Sequence, residues 1–307
     1  MPEAAATERS GRALFRHDGM FWRRLAYRGA TRGPLWWRRV GPGLVAGVVF
    51  AIAAEKRRGA ISNLRAILGP RGWLGDRLGA LRLFAEFAYC ATDVWQIEAT
   101  GRGGELERAI EILMPEGLDL DGLLPDGRGL VVLTSHFGTW EVGARALQRF
   151  GRPVNLVMAR EPNPTVEEFQ RSSRERFGLR VLRSDTSVFS STRMLQALRR
   201  GEIVAIQLDR GAAGHVTRRI EFFGRPAPFL YGPFALARAA GVPLWPVFVA
   251  RLGRGRYRFL PEPLRTIPRD ADEEATLAVM REVVSRFERR VREYPYQWFQ
   301  FQPFWEG

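Results

Sequence analysis

Beyond residue 129 the chain adopts a rhythm that few folds can satisfy. Four short aliphatic runs, LVVLT (130–134), PVNLVM (153–158), LRVLRS (179–184) and IVAIQLD (203–209), alternate with stretches of helical composition, WEVGARALQRF, TVEEFQRSSRERFG and STRMLQALRRG. Strands alternating with helices at this spacing predict an α/β domain with a mostly parallel central sheet flanked by helices. PLWPVFVARL (243–252) and YRFLPEPL (257–264) extend that sheet. DADEEATLAVMREVVSRFERRVREYP then reads as a long terminal helix, capped near Asp270 or Asp272 and stopped before Pro295.

The first third reads differently. From Arg57 to Trp95 the apolar spacing is helical, with Ile61, Leu64, Ile67 and Leu68 on one face and Leu78, Leu81, Phe84, Phe87 and Ala88 on another. Gly69-Pro70-Arg71-Gly72 breaks the two apart. ELERAIEIL (105–113) predicts a further short helix. VGPGLVAGVVFAIAA (40–54) is apolar but shorter than the roughly 20 residues that cross a bilayer, and it contains Pro42. Arg38 and Arg39 precede it and Lys56, Arg57 and Arg58 follow it, so the charges give no orientation signal. With Phe21, Trp22, Trp36 and Trp37 upstream, the segment reads as one that dips into or lies along one leaflet. A buried core helix is the alternative. MPEAAATERS at the start is polar and mixed in charge, unlike a cleavable signal peptide. The expected division is a partly disordered tail (1–30), a helical membrane-associating region (31–100) and the α/β domain (101–307).

Charge narrows the partners. The net charge is +14, and of 47 basic residues only Lys56 is a lysine. Such a surplus suits an anionic partner: nucleic acid, an anionic membrane face or a phosphorylated substrate. Nucleic acid is the poorest of these, since the arginines spread along the chain and no binding module is recognisable. Cys90, the single cysteine, excludes an intramolecular disulfide and sits in the apolar stretch LFAEFAYCA, as a core residue would.

The chemistry concentrates at LVVLTSHFGTWE (130–141). Ligands of open α/β sheets gather at the carboxyl ends of strands, and His136 occupies such a junction between strand and helix. A nearby carboxylate can hold the imidazole in one tautomer and stabilise its charged form as it takes a proton. Glu141 is a candidate for that carboxylate. On one regular helix, residues five apart are rotated by roughly 140°, so the pair works only if His136 lies in the turn, where Gly138 gives freedom. Placement alone leaves His136 open between a catalytic base and a polar residue following a strand.

Other chemistries fit poorly. TSHFG is not the Gly-x-Ser-x-Gly elbow of a serine hydrolase. His17, His136 and His215 with one cysteine make no metal-ligand cluster, so no metal is expected. GRGGE (101–105) lacks the Gly-Lys-Ser/Thr ending of a phosphate loop.

HFGTWE resembles the His-x4-Glu box of the lysophospholipid acyltransferase superfamily. More narrowly, the chain resembles bacterial lipid A biosynthesis (lauroyl/myristoyl) acyltransferases and the related phosphatidylinositol mannoside acyltransferases. Further blocks match in order: RRGAISNLRAILGP (57–70), MAREPNPTVEEFQRSSRERFG (158–178), IVAIQLDRG (203–211), EFFGRPAPFLYGPFALARAAGVPLWPVFVAR (221–251) and YPYQWFQFQPFW (294–305). The likeness spans about residues 35–305. It departs from the lipid A branch at Arg210, where glutamine is usual after the aspartate, and at Gln302 and Pro303, where histidine and arginine are common. These departures bear on the acceptor more than on the reaction.

The resemblance implies a glycerol-3-phosphate acyltransferase-like fold at the cytoplasmic face of a bacterial inner membrane. It also implies transfer of an acyl chain from acyl carrier protein or a coenzyme A thioester to a hydroxyl of a lipid acceptor, with no cofactor beyond the donor. A lipid A precursor, a glycosylated phospholipid and other envelope lipids stay open as acceptors, and a non-catalytic lipid-binding relative stays open as an alternative. His136 would be the general base and Glu141 its orienting partner. Arg160, Asn163, Arg174 and Arg210 would bind donor or acceptor, with Asp209 an arginine-pairing or structural member of the site and Phe223 and Gly224 a pocket wall.

Overall fold

The computed structural model describes residues 20–100, 111–113, 116, 127–159, 164–176, 178–184, 188–211 and 214–305. Four helices come first: α1 (Met20–Arg32), α2 (Leu35–Ile52), α3 (Ala54–Leu68) and α4 (Gly72–Thr100). The α/β part follows as β1 (Glu111–Leu113), β2 (Leu130–Thr134), α5 (Trp140–Ala146), β3 (Val154–Ala159), α6 (Pro164–Arg176), β4 (Leu179–Ser184), α7 (Val188–Arg199) and β5 (Ile203–Gln207). A hairpin of β6 (Thr217–Phe222) and β7 (Arg225–Leu230) precedes α8 (Gly232–Ala240), β8 (Leu244–Gly253), β9 (Arg256–Pro261) and α9 (Glu273–Glu293).

Strand β2 explains the architecture. All five of its residues are buried, so its two faces must both be covered. Leu130 and Val132 join one core with Ile203, Ala205, Trp245, Val247 and Val249. Val131 and Leu133 join the other with Val204, Ile206, Leu244 and Phe248. The period-2 alternation of three strands thus divides the protein into two apolar layers. The sheet has seven strands in the order β1-β9-β8-β2-β5-β3-β4. Every neighbouring pair is parallel except the antiparallel β8–β9 hairpin.

Helix α9 covers one layer with Met280, Val283, Val284, Phe287 and Val291, a stripe at helical spacing. Asp272 is its N-cap, accepting the backbone N–H of Ala275 at 2.7 Å. Helix α5 covers the other layer with Val142, Ala144 and Ala146, joined by Ile97 of α4.

The short helix predicted over 105–113 is corrected at its end. Residues 111–113 form β1, paired in parallel with β9 and tied by an ion pair of Arg256 with Glu111. Pairing to an available strand overrides a weak local helical preference there. Residues 105–110 and the predicted tail up to residue 19 lie outside the described residues.

The N-terminal helices form their own core around Ala46, Ala60, Leu64, Ala80, Leu83, Phe84, Cys90 and Phe299. Helix α2 buries its small residues Gly41, Pro42 and Ala46 and rests Val49 and Phe50 partly buried on that core. Leu35, Trp36, Val40, Leu44, Val48 and Ile52 stay exposed, Trp36 by 63%. The buried-core-helix alternative for residues 40–54 is therefore overturned. The helix is long and apolar enough to cross a membrane by length and composition.

Two contacts fasten this helical part to the sheet. Arg251 of β8 donates to Asp93 of α4 at 2.7 Å, and Tyr257 of β9 donates to the same carboxylate at 3.0 Å. Asn63 of α3 donates to the carbonyls of Gln300 and Gln302 at 3.0 and 2.8 Å and accepts the backbone N–H of Phe304 at 2.9 Å. The C-terminal segment is thereby clamped between α3 and the α/β part.

Candidate active site

The site follows from strand register. Thr134 of β2 lies opposite Gln207 of β5 in adjacent parallel strands, and the ladder continues with the Leu208 N–H donated to the Thr134 carbonyl at 2.9 Å. Two residues beyond Thr134 is His136; two beyond Gln207 is Asp209. Parallel pairing thus brings them together at the carboxyl edge of the sheet, where such folds place their ligands.

Their contact is close. His136 Nδ1 lies 2.9 Å from Asp209 Oδ1, and the His136 backbone N–H is 3.1 Å from each carboxylate oxygen. Trp298 donates its indole N–H to Asp209 Oδ2 at 2.9 Å, and the Gln300 amide donates to the Asp209 carbonyl at 3.0 Å. Asp209 is fully buried, while the His136 side chain keeps 24% of its surface exposed. Burial pushes the Asp209 carboxyl up, but His136, Trp298 and Arg210 together outweigh it and hold the group below the usual carboxylate range. An ionised Asp209 needs a donor, which places the imidazole proton on Nδ1 and leaves Nε2 as the acceptor nitrogen.

The C-terminal segment builds the back of this site. The Phe299 N–H is donated to the His136 carbonyl at 2.7 Å, and Phe137 bridges to Trp298 in antiparallel fashion. Arg210 reaches the same segment, donating to Gln300 Oε1 at 3.1 Å and to the Phe299 carbonyl at 3.3 Å. The turn itself depends on Gly138, whose φ is +53°. A Cβ there would stand 1.9 Å from the Val249 carbonyl oxygen, so this position tolerates only glycine. The N–H groups of Gly138 and Thr139 are donated to the Gln297 and Val249 carbonyls at 2.8 and 3.0 Å, so they hold the turn.

Glu141 sits in the first turn of α5, the helix that follows His136. The sharp turn at Gly138 directs the histidine toward the end of β5, and Glu141 faces a different space lined by Val94, Ile97, Arg145, Arg174 and Leu179. There Arg174 of α6 lies 3.9 Å from Glu141 and 5.6 Å over the Trp140 ring. The structure therefore joins Glu141 to Arg174, and His136 to Asp209 with Arg210 beside it.

Phe223 and Gly224 form the turn of the β6–β7 hairpin, both at positive φ, +55° and +69°. The Phe223 N–H is donated to Glu288 at 2.6 Å, its ring lies beneath the Arg292 guanidinium at 4.7 Å, and it meets Trp305 edge-on. These contacts run to α9 and the C-terminal segment rather than to His136. Arg160 and Asn163 lie outside the described residues.

Trp298 and Gln300 are site residues that the sequence reading did not single out. The signal for them is weak: YPYQWFQFQPFW is visibly aromatic and amide-rich, but nothing local says that it reaches the end of β5.

Residues 43–306 match the family described as bacterial lipid A biosynthesis acyltransferase. A phosphatidylinositol mannoside acyltransferase of Mycolicibacterium smegmatis is 26% identical over 197 residues, covering 61% of this chain and 61% of that protein. The chain thus matches about three fifths of the length of that curated relative.

Proposed function

The chain belongs to the bacterial lipid A biosynthesis acyltransferase family, and on that premise we propose that it moves a fatty acyl chain from a thioester to a hydroxyl of an envelope lipid. The observation that carries the reading is the buried Asp209 carboxylate on Nδ1 of the partly exposed His136. His136 Nε2 takes the proton of the acceptor hydroxyl as its oxygen attacks the thioester carbonyl. Asp209 holds the ring and stabilises the imidazolium. Collapse of the tetrahedral intermediate breaks the C–S bond, and the proton passes from His136 to the departing thiolate. No acyl-enzyme is required.

Glu141, within 3.9 Å of Arg174, steadies the start of α5 and with it the turn that carries His136, while Asp209 makes the direct contact with the ring. Arg210, beside Asp209 and exposed, supplies a guanidinium for a phosphate on donor or acceptor. Arg160 and Asn163 keep that assignment from sequence, as Phe223 and Gly224 do for a pocket wall. The acyl donor is acyl carrier protein or coenzyme A thioester, and the acidic character of either suits the basic surface. The acceptor is a glycolipid hydroxyl, on a lipid A precursor or on a glycosylated phospholipid. The family match favours the first and the mycobacterial relative the second.

We infer a membrane-surface location from α2 and α4. Helix α2 packs along α4, and α4 carries Asp76, Arg77, Arg82, Glu86 and Asp93. A spanning α2 would draw charges of this kind into hydrocarbon, at roughly 2.5–3.5 kcal/mol for each one on insertion scales. An α2 lying along one leaflet, with Trp36, Val40, Leu44 and Val48 in the acyl region, avoids that cost; the inner membrane and its cytoplasmic face are our reading from the family resemblance. The deep β2 and the strand-end histidine support the glycerol-3-phosphate acyltransferase-like reading of the fold.

The test is acyl transfer by membranes containing the protein, offered radiolabelled acyl carrier protein or acyl coenzyme A with a mixed envelope-lipid extract. Label in an alkali-labile lipid ester supports the reading, and mass spectrometry of that lipid names the acceptor. Label that stays in the thioester with every acceptor fraction contradicts it.

A further inference from the structure

Helix α3 carries Arg58, Ser62 and Arg65 at spacings of four and three residues, which puts them on one face. They look across an open cavity of about 410 Å³ toward Arg225, the first residue of β7, with Ile61 and Ala66 completing the lining. The other side of α3 is the one that holds the helix in place. There Gly59 abuts the Phe301 carbonyl, and Asn63 binds the C-terminal segment. On the arginine face Arg65 has such a tie, to Asp76 of α4.

Among the described residues no carboxylate lines this cavity. Arg65 donates to Asp76 through Nε at 2.7 Å, and its side chain stays 54% exposed. Arg225 lies over the Trp305 ring at 5.5 Å, a contact that orients the guanidinium without neutralising it. Among the described residues neither Arg58 nor Arg225 has an ion-pair partner. The arginines of α9 are arranged otherwise: Glu262 takes Arg286, Arg289 and Arg290, and Glu282 takes Arg265 and Arg286. Arg58 and Arg225, with Arg65 only partly offset by Asp76, line one open cavity and give it a positive potential that an oxyanion would relieve. Guanidinium forks match phosphate in particular.

We propose that Arg58, Arg65 and Arg225 form a site for the phosphate group of a membrane lipid. The inference rests on the membrane placement proposed above. Exposed apolar residues bracket α3 in the chain, Ile52 before it and Leu68, Trp73 and Leu74 at and after its end. A cavity so placed sits where headgroups lie, at the rim of the acyl region, which favours a lipid phosphate over one in solution. Sequence blocks around Arg58 and Arg225 belong to regions of the chain that the His136 chemistry leaves unexplained.

The test uses the full chain and needs no acyl transfer, so it stands apart from the fate of the catalytic reading. Flotation with phosphatidylcholine vesicles containing phosphatidic acid is measured for the wild type, for Arg58→Gln/Arg225→Gln, and for Arg128→Gln/Arg199→Gln. The last pair removes equal charge from a cavity lined by Gly127, Arg128, Arg199 and Arg269. Thermal melting checks that each variant folds. We expect the first double variant to bind about tenfold or more weakly, as loss of two charge-assisted contacts implies, and the second to bind like the wild type. Equal loss in both variants would show that only net charge acts, and equal binding by Arg58→Gln/Arg225→Gln and wild type would remove the site; either overturns the proposal. Titration with inorganic phosphate separates the source. A variant impaired for inorganic phosphate but not for vesicles overturns the lipid and leaves free phosphate as the ligand.

Discussion

The Asp209 carboxylate meets His136 twice, at Nδ1 from 2.9 Å and at the backbone N–H from 3.1 Å, so one buried group fixes both the ring and the turn that carries it. Asp209→Asn keeps the shape but removes the charge that stabilises an imidazolium. Activity should fall on the order of 10²–10⁴-fold with the fold intact. Glu141→Gln, which weakens a 3.9 Å pair with Arg174, should cost less in turnover. Steady-state rates for both variants, alongside melting curves, decide this. A larger loss for Glu141→Gln in a folded protein would put Glu141 in the place behind the base.

Trp298 gives a subtler test. Trp298→Phe keeps an aromatic ring among Phe222, Phe287, Phe304 and Trp305 and deletes only the N–H that reaches Asp209. That N–H is one of the contacts holding the Asp209 carboxyl low. Its loss should raise the Asp209 pKa and move the acid limb of the activity profile to higher pH, with turnover reduced about tenfold for one charge-assisted hydrogen bond. An acid limb that stays in place would show that Asp209 does not set it.

Stability toward acid should depend on a cluster at α9. Arg265 and Arg286 grip Glu282 and hold its carboxyl at about 2, against the ordinary 4.5, with burial opposing them. A depressed carboxyl contributes stability that is present above about 4.5 and is lost as pH falls toward 2. Because the pair is partly exposed, the effect is modest and weakens with salt. Thermal melts of wild type and Glu282→Gln should converge as pH drops through that window. Parallel curves would mean that the cluster is not coupled to folding.

Much of the fold was legible because local and global signals agree there. LVVLT, LRVLRS and IVAIQ form strands where the aliphatic runs lie, and the Asp272 cap and the stripe from Met280 to Val291 mark α9. The sheet order was not legible, since the pairing of β2 with both β5 and β8 depends on contacts across more than 70 residues. For the same reason Asp209 was read as a minor member of the site. The neighbour of His136 on the chain, Glu141, was visible as a motif; its neighbour in space becomes visible only once Thr134 and Gln207 are in register. The hairpin turn at Phe223-Gly224 was also hidden, because a phenylalanine at positive φ runs against its own preference.

The membrane face makes a prediction of its own. Leu44 and Val48 of α2 are exposed while Gly41, Pro42 and Ala46 pack inward. Leu44→Ser/Val48→Ser should therefore leave the melting temperature unchanged. It should reduce partition onto vesicles by roughly tenfold or more, given about 1.5–3 kcal/mol for each large apolar side chain fully buried. A loss of stability without loss of partition would show that this face packs on protein instead.

The most direct measurement is acyl transfer by purified wild-type protein and by His136→Ala, each shown to be folded, with radiolabelled acyl thioester and the accepting lipid. The wild type should yield a labelled lipid ester and His136→Ala a rate lower by on the order of 10²–10⁴-fold, the contribution of a positioned general base. A folded His136→Ala protein that transfers the acyl chain at the wild-type rate would contradict it.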